Sequence, residues 1–288
     1  MASQSLRREE NAPGNFYVDE TCIDCAACRG LAPENFTWSR GFSAVTRQPA
    51  NSQQERQALE ALYACPTSSI GVEAKPGIMA EVRSSFPLKI TENVYYCGFH
   101  DESSFGAASY LVIHQDGNIL VDTPRPAAPL LRNIDKLGGV KYHYFTHRDD
   151  VGKYEEFSKR YSTIKMIHED EKNAVPGAEM LLRNEVLKLN KEVTLIPVPG
   201  HTRGHTVLLY RDSILFSGDH LAYSPRLGHL YAFRDACWYS WQEQIKSMKK
   251  LAGFSFETVL PGHGRRYYAR SKAEMSGMMQ TCIRWMSQ

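Results

Sequence analysis

The sequence of 288 residues is long enough for one large domain or two unequal ones, and 42% hydrophobic with 23% charged residues is an ordinary globular composition. A net charge of +2 excludes a protein that holds nucleic acid mainly through a strongly basic surface. No apolar run approaches the ~20 residues of a membrane helix. The first ten residues lack the apolar core of a secretory signal. We therefore expect a cytoplasmic protein with neither a nucleic-acid nor a membrane partner.

Cysteines cluster near the N-terminus, after residues 1–14, which we expect to be a disordered lead-in. Cys22, Cys25 and Cys28 form a C-x2-C-x2-C run, and Cys65 precedes a proline. An odd total of seven cysteines, without a signal peptide, favours metal ligation over a disulfide framework. Tight runs of this kind wrap several thiolates around an iron–sulfur cluster. The alternative is a zinc site, although zinc sites more often pair two separated C-x2-C knuckles.

The position of a further cluster ligand is changed in this run. Two-cluster bacterial ferredoxins continue it with x3-C-P, and that cysteine serves their other cluster. Here Ala32 occupies that position, before Pro33. The remaining cluster therefore needs a distant fourth ligand, and Cys65 is the candidate.

Between the cysteines, residues 52–63 have the apolar spacing of a helix that begins with a Ser52–Glu55 capping box. This arrangement resembles the single-cluster bacterial ferredoxins over residues 15–74. The resemblance implies a small α+β domain whose Cys22, Cys25, Cys28 and Cys65 hold a [4Fe-4S] cluster. Residues 75–87, punctuated by proline, glycine and serine, are interpreted as a linker.

Residues 88–288 form a second predicted domain of short strands and interposed helices. Strands are predicted at 94–97, 109–114, 118–123, 163–168, 193–198, 205–211, 213–217 and 257–260, besides one that ends at His147. Helices are predicted at about 126–137, 152–161, 178–189, 240–252 and 271–287.

Four of these strands are followed directly by histidine or aspartate. The junctions are Thr146-His147, Pro199-Gly200-His201, Gly218-Asp219 and Gly262-His263. Side chains on loops at strand ends are well placed to bind metals and substrates. We expect these four to converge on one edge of the fold.

In this order and context the four elements resemble the motifs of the metallo-β-lactamase superfamily, over about residues 88–270. The resemblance implies an α+β fold, an αββα sandwich with a metal site at one edge of the paired sheets. It makes His147, His201, Asp219 and His263 metal ligands. Asp122 matches an early strand-end aspartate of the superfamily, and His205 a histidine that supports the ligand loop; both are expected beside the ligands.

The first motif departs from the superfamily pattern. Where that pattern reads Thr-His-x-His-x-Asp-His, this chain reads Thr146-His147-Arg148-Asp149-Asp150-Val151, and the loop is two residues short. Asp149 or Asp150 is expected to replace a lost ligand or to act as a catalytic base. Five candidate ligands favour one zinc, iron or manganese ion, with a second weakly held or absent.

Three functions remain open at this point. A metal-dependent hydrolase acting on a small molecule is the leading hypothesis, and arginines on the site loops would suit an anionic substrate. An iron-dependent oxidoreductase that receives electrons from the [4Fe-4S] cluster is the alternative, because two histidines and a carboxylate suit non-heme iron. The third is a non-catalytic electron carrier or sensor that binds a redox partner protein.

Overall fold

A computed structural model describes residues 2–288 of the chain, which form two compact units. The first contains the residues up to Lys141 together with Gly152–Tyr161. The second contains Tyr142–Val151 and Ser162–Gln288. Within residues 2–288, every helix is too short or too polar to cross a bilayer.

The first unit begins with a small α+β fold around two antiparallel strand pairs, β1 with β4 and β2 with β3. Its core consists of apolar side chains such as Phe16, Leu59 and Ile70. Its elements are β1 (Phe16–Val18), α1 (Ala27–Leu31), β2 (Phe36–Ser39), β3 (Phe42–Val45), α2 (Ser52–Ala64), β4 (Ile70–Val72) and α3 (Met79–Ser84).

Three details of this region differ from expectation. Residues 2–14 are not a disordered lead-in: the amide of buried Asn11 accepts hydrogen bonds from the backbone of Val18 and Val45, which ties the segment to the core. The cap of α2 is Asn51, whose side chain accepts from the Gln54 backbone, so the predicted Ser52–Glu55 capping box is wrong.

The expected linker contains α3, because Val82 and Phe86 are buried and give the segment an apolar side. The domain boundaries at residues 14, 74 and 87 stay a prediction.

The remainder of the first unit is a four-stranded antiparallel arrangement in the order β5, β6, β7, β8, with two helices. The strands and helices predicted from the sequence are found, with ends shifted by a few residues. They are β5 (Leu88–Lys89), β6 (Val94–Tyr96), β7 (Tyr110–Val112), β8 (Ile119–Val121), α4 (Ala128–Lys136) and α5 (Tyr154–Tyr161).

The second unit contains three parallel strands and a six-stranded sheet. The parallel strands are β9 (Tyr142–Tyr144), β10 (Ile164–His168) and β11 (Met180–Leu182). The six-stranded sheet has the order β12, β13, β14, β15, β18, β19. The remaining elements are β12 (Leu187–Lys188), β13 (Val193–Pro197), β14 (Thr206–Tyr210), β15 (Ile214–Gly218), β16 (Ala222–Ser224), β17 (His229–Tyr231), α6 (Trp241–Leu251), β18 (Thr258–Pro261), β19 (Tyr267–Tyr268) and α7 (Lys272–Met286).

The helix predicted at 178–189 is wrong, since this segment supplies two edge strands, β11 and β12. Met180 pairs with Met166 of β10, and Leu187 pairs with Leu195 of β13. Leu181 and Leu187 are 44% and 41% exposed although Leu182 is buried, so the apolar side chains of the segment do not form the single buried face that would stabilise a helix. Backbone hydrogen bonds to existing sheet edges decide its conformation instead.

Helices α6 and α7 cover the six-stranded sheet. Met248 of α6 and Met279 of α7 are buried against sheet residues such as Leu209, Leu215 and Val259. Full burial of an apolar side chain of this size contributes about 1.5–3 kcal/mol. This core fixes the sheet, and the sheet fixes the loops at its ends.

Candidate metal centre

Three strands of the six-stranded sheet end at the same edge and carry three of the candidate ligands. Strands β13 and β15 are both antiparallel to β14, and β18 is parallel to β15, so β13, β15 and β18 run in one direction. The residues that follow their carboxyl ends include His201, Asp219 and His263, respectively. Parallel strands therefore deliver these side chains to the same end of the sheet.

The loop after β9 joins them through β14. The backbone amide of Thr206 donates a hydrogen bond to the Thr146 carbonyl oxygen (2.8 Å), and the Tyr144 hydroxyl donates to Thr206 Oγ1 (2.8 Å). His147 follows directly, fully buried. All four predicted ligands thus lie together, as the sequence led us to expect.

The first ligand set consists of His147, His201 and Asp219, whose donor atoms all lie within 4.8 Å of one another. Asp219 Oδ2 is 3.9 Å from His147 Nε2 and 3.8 Å from His201 Nε2. Both Nε2 atoms are buried and make no hydrogen bond within residues 2–288. Buried nitrogens are normally hydrogen-bonded. These two Nε2 atoms lie near the Asp219 carboxylate without a hydrogen bond to it, an arrangement that suits a metal ion bound by all three groups.

The second ligand set consists of Asp150, Asp219 and His263, also within 4.8 Å of one another. His263 Nδ1 lies 2.8 Å and 2.9 Å from the two oxygens of Asp219. A Cβ atom at Gly262 would lie 2.9 Å from Asp219 Oδ1 and 3.0 Å from Asp150 Oδ2. Glycine at 262 therefore keeps open the space between these carboxylates.

The two adjacent aspartates face different ligand sets because a 3-10 turn, Arg148–Asp150, separates their directions. Asp149 Oδ2 is 3.7 Å from His147 Nε2 and 3.6 Å from His201 Nε2, beside the first set. Asp150 belongs to the second set and is 1% exposed, whereas the Asp149 side chain is 41% exposed. The sequence left open which aspartate replaces a lost ligand. Both lie near the ligand sets, and which of them is a ligand stays a prediction.

Burial lowers the pKa of two buried histidines at the centre, His147 and His220. It lowers the pKa of His147 to about 4, against the opposing charge of Asp219. It lowers the pKa of His220 to about 3, with the His201 ring acting in the same direction. The pKa of Asp219 is well below its usual range because His263 and the other histidines outweigh the effect of burial. Neutral imidazoles beside a carboxylate are the protonation states that bind divalent metals.

His205 stands behind the first ligand set, stacked on the His147 ring at 4.8 Å. Its Nε2 accepts a hydrogen bond from the Asp219 backbone amide (3.1 Å), so the ring fixes the strand end that carries Asp219. Asp122 is buried at the end of β8 with a positive φ of 55°, in the first unit. Supporting roles for His205 and Asp122 stay predictions.

Tyr231 is a neighbour of the centre that the sequence did not single out. Burial raises the pKa of its phenol to about 12, and the charge of Asp219 adds to the effect. Trp238 lies near it in sequence, 62% exposed, with its ring centroid 6.4 Å from that of His201. Tyr231 lies in no recognisable motif, so only the packing of β17 reveals it.

The four predicted cluster ligands lie together in the first unit. Cys22, Cys25, Cys28 and Cys65 line one pocket with Ser43 and Ile70. Burial raises the pKa of the Cys25 thiol to about 12, so a positively charged metal group is needed to hold it as a thiolate. The Ser69 backbone amide donates to Cys65 Sγ (3.3 Å), as is common around cluster sulfurs. Four clustered thiols fit a [4Fe-4S] cluster.

Comparison with known proteins supports this assignment. Residues 18–72 match the family described as the 4Fe-4S single cluster domain of Ferredoxin I.

Comparison with solved structures concerns the larger part of the chain. The DIM-1 metallo-β-lactamase superposes with a TM-score of 0.51 at 20% identity, over 67% of this chain and 95% of that one. A metallo-β-lactamase from Hirschia baltica gives 0.51 at 16% identity, over 67% and 96%. The chain has a metallo-β-lactamase fold. The predicted fold class, with a small ferredoxin-like domain before it, is confirmed.

Curated relatives of this metallo-β-lactamase-fold chain are hydrolases. A hydroxyacylglutathione hydrolase of Serratia proteamaculans is 32% identical over 129 residues, 42% of this chain and 49% of that protein. One from Pectobacterium carotovorum is 34% identical over 159 residues, 52% and 59%. The chain matches about half the length of these relatives.

Proposed function

We propose that this chain is a metal-dependent hydrolase of a small molecule, with its active site at the two ligand sets. The observation that supports this most strongly is that both sets share Asp219 at one end of the sheet. His147, His201 and Asp219 would hold a divalent ion, and such an ion would supply an activated water as the nucleophile at neutral pH. The hydrolase names of the relatives favour the same chemistry.

The first set is the stronger position for a metal. It offers two imidazoles and Asp219, with Asp149 close enough to both histidines to join them. The second set offers two carboxylates and one imidazole whose Nδ1 already contacts Asp219. We therefore propose one firmly held zinc, manganese or iron ion in the first set and a weaker position in the second.

The remaining side chains bind and orient the substrate. Exposed Trp238 provides a flat apolar surface beside His201, and the Tyr231 phenol, protonated at neutral pH, is a hydrogen-bond donor near Asp219. Arg226 lies near Tyr231 and favours an anionic substrate. From the names of the relatives we propose an acyl compound such as an acylglutathione as the first substrate to test.

The test is hydrolysis by the zinc- or manganese-loaded protein of a panel of esters, thioesters including acylglutathiones, lactones and phosphodiesters. We expect turnover of at least one class, and we expect His201→Ala to abolish it. His229→Ala is the matched control, because His229 is a partly buried histidine that belongs to neither ligand set and whose ring contacts Trp285. Absence of turnover, with His201→Ala leaving metal content unchanged, would contradict the proposal.

An iron-dependent oxidoreductase is the second candidate, favoured by the two-His–one-carboxylate first set together with the match to a cluster-binding domain. In that case Cys22, Cys25, Cys28 and Cys65 would hold a cluster that supplies electrons received from a redox partner protein, and the first set would hold the iron. Metal analysis of protein purified anaerobically from its native host distinguishes the candidates. Redox-inert zinc in the first set excludes the oxidoreductase. A cytoplasmic location stays a prediction.

A further inference from the structure

We propose that Glu171 is a positioning residue that holds the two histidine-bearing loops in the geometry that binds metal. This inference rests on the proposed metal centre and adds to it a residue outside all the motifs. Glu171 lies in the 3-10 helix Glu169–Ala174, which follows β10. Its carboxylate binds backbone amides of the ligand loops and does not bind a ligand side chain.

Each carboxylate oxygen of Glu171 binds a different loop. Oε2 accepts a hydrogen bond from the Arg148 backbone amide (2.8 Å), and Oε1 accepts one from the Gly204 backbone amide (2.9 Å). Arg148 lies between His147 and Asp149, and Gly204 lies between His201 and His205. One side chain therefore connects the loops that present both histidines of the first ligand set.

Burial makes this connection strong. Glu171 is 3% exposed, and burying a carboxylate is costly unless its oxygens receive hydrogen bonds. Bonds from backbone amides to an ionised carboxylate are shorter and stronger than neutral ones. A glutamine of the same size has one acceptor oxygen, so it can satisfy only one of the two amides and turns its own N–H groups toward the other.

Gly204 shows how closely the loop and the carboxylate approach. A Cβ atom at this position would lie 2.4 Å from Glu171 Cγ and 2.8 Å from His168 Nδ1. Any side chain at 204 would force the loop away from Glu171. Because residue 204 has no side chain, its backbone amide can approach and bind Glu171 Oε1.

The experiment compares Glu171→Gln with Glu169→Gln. Glu169 lies in the same 3-10 helix, is partly exposed and forms an ion pair with the surface residue Arg183 (3.4 Å), so its variant controls for loss of one charge there. Zinc affinity is measured by chelator competition, and the geometry of the first set by the absorption spectrum of the cobalt-loaded protein. We expect Glu171→Gln to weaken zinc binding by about 10- to 100-fold and to change the cobalt spectrum. Glu169→Gln should match the wild type in both.

Equal zinc affinity and an equal cobalt spectrum for Glu171→Gln and the wild type would overturn the inference while leaving the proposed function intact. A wild type that binds no metal would instead overturn the proposed function. In that case hydrogen exchange of the metal-free wild type still tests whether Glu171 holds the two loops. The same measurement applies if Glu171→Gln fails to fold. We expect slow exchange at the Arg148 and Gly204 amides, and fast exchange at both overturns the inference.

Discussion

Asp219 and His263 are in direct contact: Nδ1 of the histidine lies 2.8 Å and 2.9 Å from the two carboxylate oxygens. Oδ2 of the same carboxylate lies 3.9 Å from His147 Nε2. Asp219 is therefore the residue that the two ligand sets share. Changes at Asp219 should affect both sets, whereas changes elsewhere can separate them.

We expect Asp219→Asn to remove metal from both sets. An amide carries no negative charge and is a weaker ligand, so both positions lose the anion that offsets the charge of the ion. Loss of a residue that only supports the ligands typically lowers metal affinity or activity by about 10- to 100-fold. Because Asp219 is itself a proposed ligand, activity toward any substrate of the wild type should fall by more than roughly 100-fold. Metal analysis after dialysis checks the stoichiometry, and full retention of metal would contradict a shared ligand.

Gly262→Ala should affect the second ligand set selectively. Its Cβ would crowd Asp219 Oδ1 and Asp150 Oδ2, so the weaker metal position should be lost while the first set keeps its ion. Titration with manganese or zinc, followed by calorimetry, measures the number of sites. Gly277→Ala is the control, because a Cβ at that position of α7 meets no atom within 4 Å. Two unchanged sites in Gly262→Ala would contradict the second position.

The metal-free protein should lose stability as the pH falls from 7 toward 4. In the folded state burial lowers the pKa of His147 to about 4 from an ordinary 6.5, so the unfolded chain binds more protons in this range. A single group with this difference contributes about 3 kcal/mol, present at pH 7 and lost on acidification. His220, with a pKa lowered to about 3, acts in the same direction.

Urea unfolding of the metal-free protein at pH 7 and pH 5, followed by tryptophan fluorescence, measures this loss. Three of the four tryptophans, Trp238, Trp241 and Trp285, lie in the second unit and report on it. His147→Asn should flatten the pH dependence relative to the wild type. Equal stability of the wild type at both pH values would show that His147 is not buried as a neutral imidazole.

Cys65→Ser should abolish or severely weaken the cluster. Cys65 lies with the other three cysteines in one pocket, and within residues 2–288 no fifth cysteine lines that pocket. Iron and acid-labile sulfide, measured after anaerobic purification, should fall to a small fraction of the wild-type content. Cys237→Ser is the control, because its thiol donates to the Gly200 carbonyl oxygen outside the cluster pocket. Zinc without sulfide in the wild type would contradict the cluster itself.

Local patterns in the sequence were sufficient for much of this protein. The C-x2-C-x2-C run with distant Cys65 placed four thiols in one pocket, because a tight loop leaves few ways to arrange three close cysteines. Apolar runs that end in Gly-His or Gly-Asp located His201, Asp219 and His263. An apolar run predicts a buried strand, and the polar residue that follows it lies in the loop at the end of that strand. The cysteine run and the strand ends are properties of short segments, so the sequence alone is enough to predict them.

Tertiary structure decided what depends on distant partners. The segment 178–189 became two strands, because sheet edges offered hydrogen bonds that its own sequence could not reveal. The directions of Asp149 and Asp150 follow from a 3-10 turn held against other loops, which no spacing rule specifies for a shortened motif. Glu171 has no motif at all; its position matters only because the folded chain brings the Arg148 and Gly204 amides to the same carboxylate.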